Sequence, residues 1–385
     1  MLLTDIVRAL TRMVQLRVVA ISVALLSVGS CASERKVVPA PPLGSPPMVL
    51  GTIVSRMGGK LTGAVGLLDC SVVLADANAG TLVSLDSGGH ETRRIRVTEA
   101  PLGGILRLER GDSGHVLVWA DVPGFLKTVN LSDGRIGEIP VPLDEWGLRM
   151  PGPTVQLRSS FFALARLGDG SWPRREPDSH ATAFRLEIVD SLGNRVEGLG
   201  PVMSRGGQYG TWMNTASAVG VVGDTIVEVD LNSARVYRYA RSDSRPSYSP
   251  LDSIALPLYF VPQPAREIRR TPPGLQGEFF QFLVERQLEA ADIDPRGRIY
   301  AIRNRQSVGR DWSSRVEQSL EIYGPSGRLL GSFRLPLPHM RFLKVDGESR
   351  LLFRGIVGQS SVVIVTENPL GRSRCGKARY RTALR

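Results

Sequence analysis

Residues 320–336, LEIYGPSGRLLGSFRLP, place apolar side chains at Leu320, Ile322 and Tyr323, then at Leu329, Leu330, Phe333 and Leu335, around a Gly-Pro-Ser-Gly bend. Apolar residues leaning toward a period of two on both sides of a glycine turn specify a β-hairpin. The pattern recurs in TLVSLDSGGHETRRIRV from Thr81, LKTVNLSDGRIGEIPVP from Leu126 and FRLEIVDSLGNRVEGLG from Phe184. Each carries Asp, Ser or Asn and a glycine at the bend, where positive φ costs little. A further copy from Ala234 has lost the glycine. Short apolar runs precede most of these hairpins: SVVLADA, HVLVWADV, FFALARL, DTIVEVDL and RIYAIRN.

A repeated unit of this kind decides the fold before any single element does. Units fall at 61–97, 103–142, 154–202, 211–257, 287–336 and 338–368. The last has an inner pair, FLKVDGESRLLFRGIVG, and a third strand, SVVIVTE, but no good fourth. MVLGTIVSR, from Met48, supplies that strand from the other end of the chain. Radial repetition with closure protects sheet edges. The expected fold is all-β: a six-bladed β-propeller of four-stranded antiparallel blades over residues 49–368, with the ring closed by an N-terminal strand. The 41 Gly and 26 Pro give turn material for many short strands. One segment, EFFQFLVERQLEA at 278–290, spaces Phe279, Leu283 and Leu288 near a helical period and is expected as a short helix.

The phrase DIDPRGRIYAI followed by LEIYGPSGRLLGSF resembles the NHL and related six-bladed β-propeller repeats, in which an Asp-x-x-Gly turn precedes an Ile-Tyr strand. The match is close in the fifth unit, partial in the first three and poor in the fourth and sixth. The resemblance implies a binding platform, with enzymes among the relatives.

At the N-terminus, Arg17 is followed by the apolar run VVAISVALLSVGS and then Cys31. The run is short for a transmembrane helix and suits a signal sequence. Val28, Gly29, Ser30 and Cys31 resemble a bacterial lipobox, whose cysteine becomes acylated and begins the mature chain. Residues 1–30 are then a lipoprotein signal peptide, with Met13 an alternative start. Ala32, in place of Asp, resembles the outer-membrane sorting pattern. Residues 31–48, with five prolines between Pro39 and Pro47, are expected as a stiff tether.

An exported location bears on Cys70 and Cys375. A ring brings its two ends together, so these two are a candidate disulfide; two separate thiols are the other reading. The net charge of +11 is concentrated at the termini, and 369–385 carries Arg372, Arg374, Lys377, Arg379, Arg381 and Arg385 with no acid. The segment is read as a solvated basic tail, or one that meets anionic lipid or cell-wall polymers. The near-neutral body argues against nucleic acid as a partner.

Searching for chemistry returns no phosphate loop, His-Glu-x-x-His, Cys-x-x-Cys or Gly-x-Ser-x-Gly pattern. His90, His115, His180 and His339 are scattered, and the Arg-Gly-Asp-Ser string at 110–113 reads as a hairpin turn. Gluconolactonase-like and regucalcin-like hydrolases share the six-bladed architecture and need a calcium-type cation held by oxygens from several blades. Glu289, Asp294 and Asn304 lie in the fifth unit without a matching set elsewhere, and they read as turn and surface groups.

In four-stranded blades the second-to-third-strand loops and the blade links share one face. The long segments from Leu167, Leu258 and Arg305 therefore belong together. Trp146 and Trp212 lie in blade links, and Trp172 and Trp312 in inserted loops, whereas Trp119 reads as a strand residue. With Arg174, Arg175, Arg205, Arg269, Arg270 and Arg310, they form a candidate ligand-binding surface; inward-folded caps over the channel are the alternative. The expected function is a membrane-anchored, non-enzymatic envelope binding module without a cofactor, its partner an envelope protein or a glycan. The alternative is a metal-assisted, lactonase-like hydrolase using calcium. A third reading, a structural assembly component, predicts an exposed apolar patch.

Overall fold

The structure is a computed structural model. It describes residues 35–384 except 56–60, 68, 99–103, 113, 121–124, 142–151, 158–160, 166–183, 202–215, 243–246, 263–265, 271–278, 284, 308–316, 338–339, 341, 347–349, 358–359 and 372–379. After β1 (Val49–Ser55), blade 1 contains β2 (Leu61–Gly66), β3 (Val72–Asp76), β4 (Thr81–Leu85) and β5 (Glu91–Arg96). Blade 2 contains β6 (Ile105–Arg110), β7 (His115–Ala120), β8 (Phe125–Asn130) and β9 (Ile136–Ile139). Blade 3 contains β10 (Thr154–Gln156), β11 (Phe162–Ala165), β12 (Phe184–Val189) and β13 (Arg195–Pro201). Blade 4 contains β14 (Ser217–Val222), β15 (Thr225–Asp230), β16 (Arg235–Arg241) and β17 (Tyr248–Ala255). A two-stranded sheet, β18 (Arg266–Arg270) with β19 (Phe279–Leu283), interrupts the link to blade 5. Blade 5 contains β20 (Leu288–Ile293), β21 (Ile299–Asn304), β22 (Gln318–Tyr323) and β23 (Leu329–Arg334). Blade 6 contains β24 (Phe342–Asp346), β25 (Arg350–Val357) and β26 (Ser360–Glu367), and β27 (Tyr380–Leu384) follows.

The fold is the six-bladed propeller expected, closed as expected: β1 pairs antiparallel with β26, with Ile53 opposite Val363. Hydrophobic clusters show that the closure is a full interface. Leu50 and Ile53 join Leu61, Leu74, Leu352 and Val363 between blades 6 and 1. Equivalent clusters fill the other five blade interfaces. Burial also explains the two sequence patterns. Second strands are sandwiched between neighbouring blades, so in β3 Val72 and Leu74 face blade 6 while Val73 and Ala75 face blade 2. Hence they read as continuous apolar runs. Outer strands such as β5 and β17 are largely solvated and read as polar.

The recurring bends share one device. Asp86, Asp190 and Asp294 each accept two backbone N–H groups through Oδ1, at 2.8–2.9 Å. Gly89, Gly193 and Gly297 follow with φ of 84°, 80° and 76°. A side chain other than glycine would be strained there. At Gly193 a Cβ would also meet the Pro140 carbonyl.

Three expectations change. The segment expected as a helix is β19 and the start of β20, and no helix occurs among the described residues. Phe279 and Leu283 are four apart, but β18 offers a partner strand, with Ile268 opposite Gln281, and aromatic residues suit strands. Residues 380–384, read as part of a solvated tail, form β27 and lie parallel to β1 with Thr52 opposite Arg381, adding a fifth strand to blade 6. Within the segment read as a tether, Gly44 N donates to Ser332 O at 2.8 Å and Gly44 O accepts from Arg334 N at 3.2 Å. Part of the proline-rich chain therefore covers the outer edge of blade 5, a place where Pro blocks further strand addition.

Candidate functional site: the channel and the loop face

The strand order sorts the connections into two faces. At one, the turn face, each first strand joins its second, as β2 joins β3, and each third joins its fourth, as β4 joins β5. Of the Arg-Gly-Asp-Ser string, Arg110 ends β6 and Gly111 and Asp112 begin the connection to β7, while Ser113 lies outside the described residues. At the other, the loop face, the chain leaves β9, β11, β13, β17 and β21 and returns at β10, β12, β14, β20 and β22 after its longer connections. Trp119 is a strand residue, fully buried in β7, and its Nε1 donates to Thr154 Oγ1 at 2.9 Å across blades 2 and 3. Cys31, Trp146, Trp172, Trp212, Trp312, Arg174, Arg310 and Cys375 lie outside the described residues. Arg270 ends β18, and only its backbone is described. Cys70 is disulfide-bonded. It adopts a φ of 69° in the turn after β2, and its carbonyl accepts from Arg350 Nη1 at 2.7 Å.

The first strands of all six blades line a cavity of about 670 Å³ in the channel. Its lining reaches Arg110, Asp112, Gln156 and Pro295, so it occupies the half of the channel nearest the turn face. Three charged side chains from three blades meet there: Glu109 of β6, Asp292 of β20 and Lys344 of β24. Lys344 Nζ donates to Glu109 Oε2, which shares its carboxylate with Arg107 Nε. Asp292 Oδ1 stands 3.7 Å from the same Nζ, and its Oδ2 accepts the Val345 N–H at 2.8 Å. Sequence reasoning missed this group. The available signal was a charge within otherwise apolar first strands, at alternate positions in LRLER and FLKVD and at Asp292 in EAADI.

Burial resists ionisation of Glu109, yet the Lys344 ammonium and the Arg107 guanidinium more than offset it and hold the carboxyl below its ordinary range. For Asp292, burial outweighs the attraction of Lys344 and raises the carboxyl above that range. Burial also disfavours the charge on Lys344, but Asp292 and Glu109 restore it and raise its pKa. A carboxyl depressed in the folded state contributes stability above its unfolded pKa and loses it as pH falls through the folded value. Glu109→Gln is therefore expected to lower the thermal midpoint near neutrality and to lessen its fall between about pH 5 and about pH 2. An undiminished acid-induced fall in the variant would assign acid sensitivity to other carboxylates.

Calcium does not fit this wall, because the Lys344 ammonium already lies against both carboxylates. Glu289, Asp294 and Asn304 are not brought together either. Asp294 caps the turn after β20 and accepts from Arg298 Nε at 2.6 Å. Asn304, at the opposite end of the blade, donates from Nδ2 to Arg286 O at 2.9 Å. Among the described residues no cluster of His, Cys, Asp and Glu is suited to hold a metal ion.

No family model matches the chain, and no curated protein is significantly similar to it. Several solved structures are similar to it at low identity. A luciferin-regenerating enzyme matches with 12% identity and a TM-score of 0.46, over 84% of this chain and 98% of that one. The calcium-binding protein regucalcin from Agrobacterium tumefaciens matches with 12% identity and a TM-score of 0.44, over 89% and 100%. A streptogramin B lyase matches with 10% identity and a TM-score of 0.45, over 81% and 95%.

Proposed function

We propose that this chain is a lipid-anchored bacterial envelope propeller that acts as a non-enzymatic binding module, engaging an envelope protein or glycan through its loop face. The reading rests chiefly on the asymmetry of the connections between the described strands: the long ones join strand ends at one face of the ring, and those at the other face span few residues. Extended loops on a rigid scaffold are where recognition is built. Trp146, Trp172, Trp212 and Trp312 bring large, rigid contact areas to those loops, and Arg174, Arg270 and Arg310 bring planar donors for anionic groups. Acylation of Cys31 holds the module at the outer membrane, and the NHL-like repeat belongs to the same reading.

Photo-cross-linkers at Trp172 and Trp312 in the full chain are expected to give adducts in intact cells. One at the turn-face residue Leu192, 73% exposed, is the control. Equal labelling at all three positions would sink the proposal. With Cys31 acylated, Cys375 is the proposed partner of Cys70. Peptide mapping without reductant is expected to recover that pair, and reduction to lower stability by about 2–5 kcal/mol. A different partner for Cys70 would overturn the assignment.

A further inference from the structure

We infer that the cavity near the turn face is a second, separate binding site, suited to an uncharged small molecule with an aliphatic body and an amide head. The cavity has two unlike walls. Val155 and Leu157 of blade 3, with Val219 and Val221 of blade 4, supply an apolar side. Glu109, Asp292 and Lys344, from blades 2, 5 and 6, supply the charged side. Its volume of about 670 Å³ lies in the range of small-molecule pockets.

The charged wall selects by balance and by geometry. Arg107 and Lys344 offset Glu109 and Asp292, so the group carries no net charge to receive an ion. A buried ligand charge would lose its hydration without gaining an uncompensated counter-charge. A neutral head meets better conditions. Nζ of Lys344 is hydrogen-bonded to Glu109 and stands 3.7 Å from Asp292 Oδ1, outside hydrogen-bond range of that oxygen. The wall thus presents an acceptor, Asp292 Oδ1, beside an ammonium donor. A primary amide offers the matching pair, its N–H to the carboxylate and its carbonyl to Nζ. The Asp292 and Lys344 side chains each retain 14% exposure, enough to touch a ligand. At the mouth Arg110 lies 3.9 Å from Asp346, and Asp112 accepts from Gln156 Nε2 at 3.0 Å, so the entrance charges also have partners.

The test uses the full chain and three probes that share one ring: cyclohexanecarboxamide, cyclohexanecarboxylate and cyclohexylammonium, titrated by calorimetry. The carboxamide is expected to bind with a Kd below about 1 mM, and each ion at least about tenfold more weakly. Asp292→Asn keeps the shape of the wall and leaves one surplus positive charge, so the order should change to favour the carboxylate. Lys344→Met leaves a surplus negative charge and should favour the ammonium. Circular dichroism checks that each variant folds; if Lys344→Met does not, the near-isosteric Asp292→Asn carries the test. The inference is overturned if wild type binds no probe, binds all three equally, or if folded Asp292→Asn keeps the wild-type order. Loop-face cross-linking is independent of all these outcomes.

Discussion

Ile53→Asp is expected to unfold the ring at its seam, lowering the unfolding free energy by at least about 4 kcal/mol. Ile53 is fully buried on β1, opposite Val363 and in the cluster that joins blade 6 to blade 1. An aspartate there would place an unpaired carboxylate between two sheets. It would also detach β1 from β26, exposing the edges of both strands and the apolar faces of Leu61 and Leu352. The matched control is Val49→Asp on the same strand, 49% exposed, which should shift stability by less than about 0.5 kcal/mol. Denaturant midpoints measure both. Similar losses in the two variants would mean that β1 contributes only through its backbone pairing, and that the ring is stable without its apolar seam.

The second large effect lies between blades 3 and 4. Glu228 is fully buried and accepts from Arg185 Nε at 2.9 Å, Ser217 Oγ at 2.7 Å and Tyr239 OH at 3.2 Å. Arg185 also pairs with Asp230 at 3.2 Å and stacks over Tyr237, its guanidinium carbon 4.5 Å from the ring centre. Burial opposes the charge on Arg185, but Glu228 and Asp230 overcome it and raise the guanidinium pKa further. Glu228→Leu removes the principal counter-charge and leaves a mostly buried cation, at an expected loss of about 3–5 kcal/mol. Removing both charges in Arg185→Met with Glu228→Leu should recover part of that loss, because no buried cation is left, while Asp230 keeps the Asn232 N–H and the Ser233 N–H and hydroxyl as donors. If the double variant is as unstable as the sum of the singles, the residues do not act as a pair.

Several parts of this architecture were legible because a single local rule set them. The hairpins announced themselves through Asp or Asn followed by glycine, since the bend needs positive φ and a side-chain acceptor at fixed offsets. The ring could be inferred because the sixth unit lacked a strand and Met48 began one. The sorting of long connections onto one face followed from antiparallel order alone. By contrast, the channel group depends on side chains far apart in sequence: Lys344 and Glu109 are separated by 235 residues. Nothing local to FLKVD shows that its lysine reaches past blade 1 to blade 2. The Phe279–Leu283 spacing fits a helix and a strand alike, and only the pairing partner β18 decides between them. Composition likewise misleads at Gly44: a proline-rich stretch reads as a stiff tether, whereas the outer edge of β23 gives part of it a strand to cover.

The seam also sets an order of events during synthesis. Blades 1 to 5 are made of strands adjacent in sequence, so each can assemble as it is produced. Strand β1, the first made, must wait for β26 and β27, the last, and bridging that separation slows folding. Until then Leu50 and Ile53 remain an unpaired apolar edge. A chain cut short anywhere before residue 360 keeps that edge exposed, so Leu50 and Ile53 report whether the seam has been made.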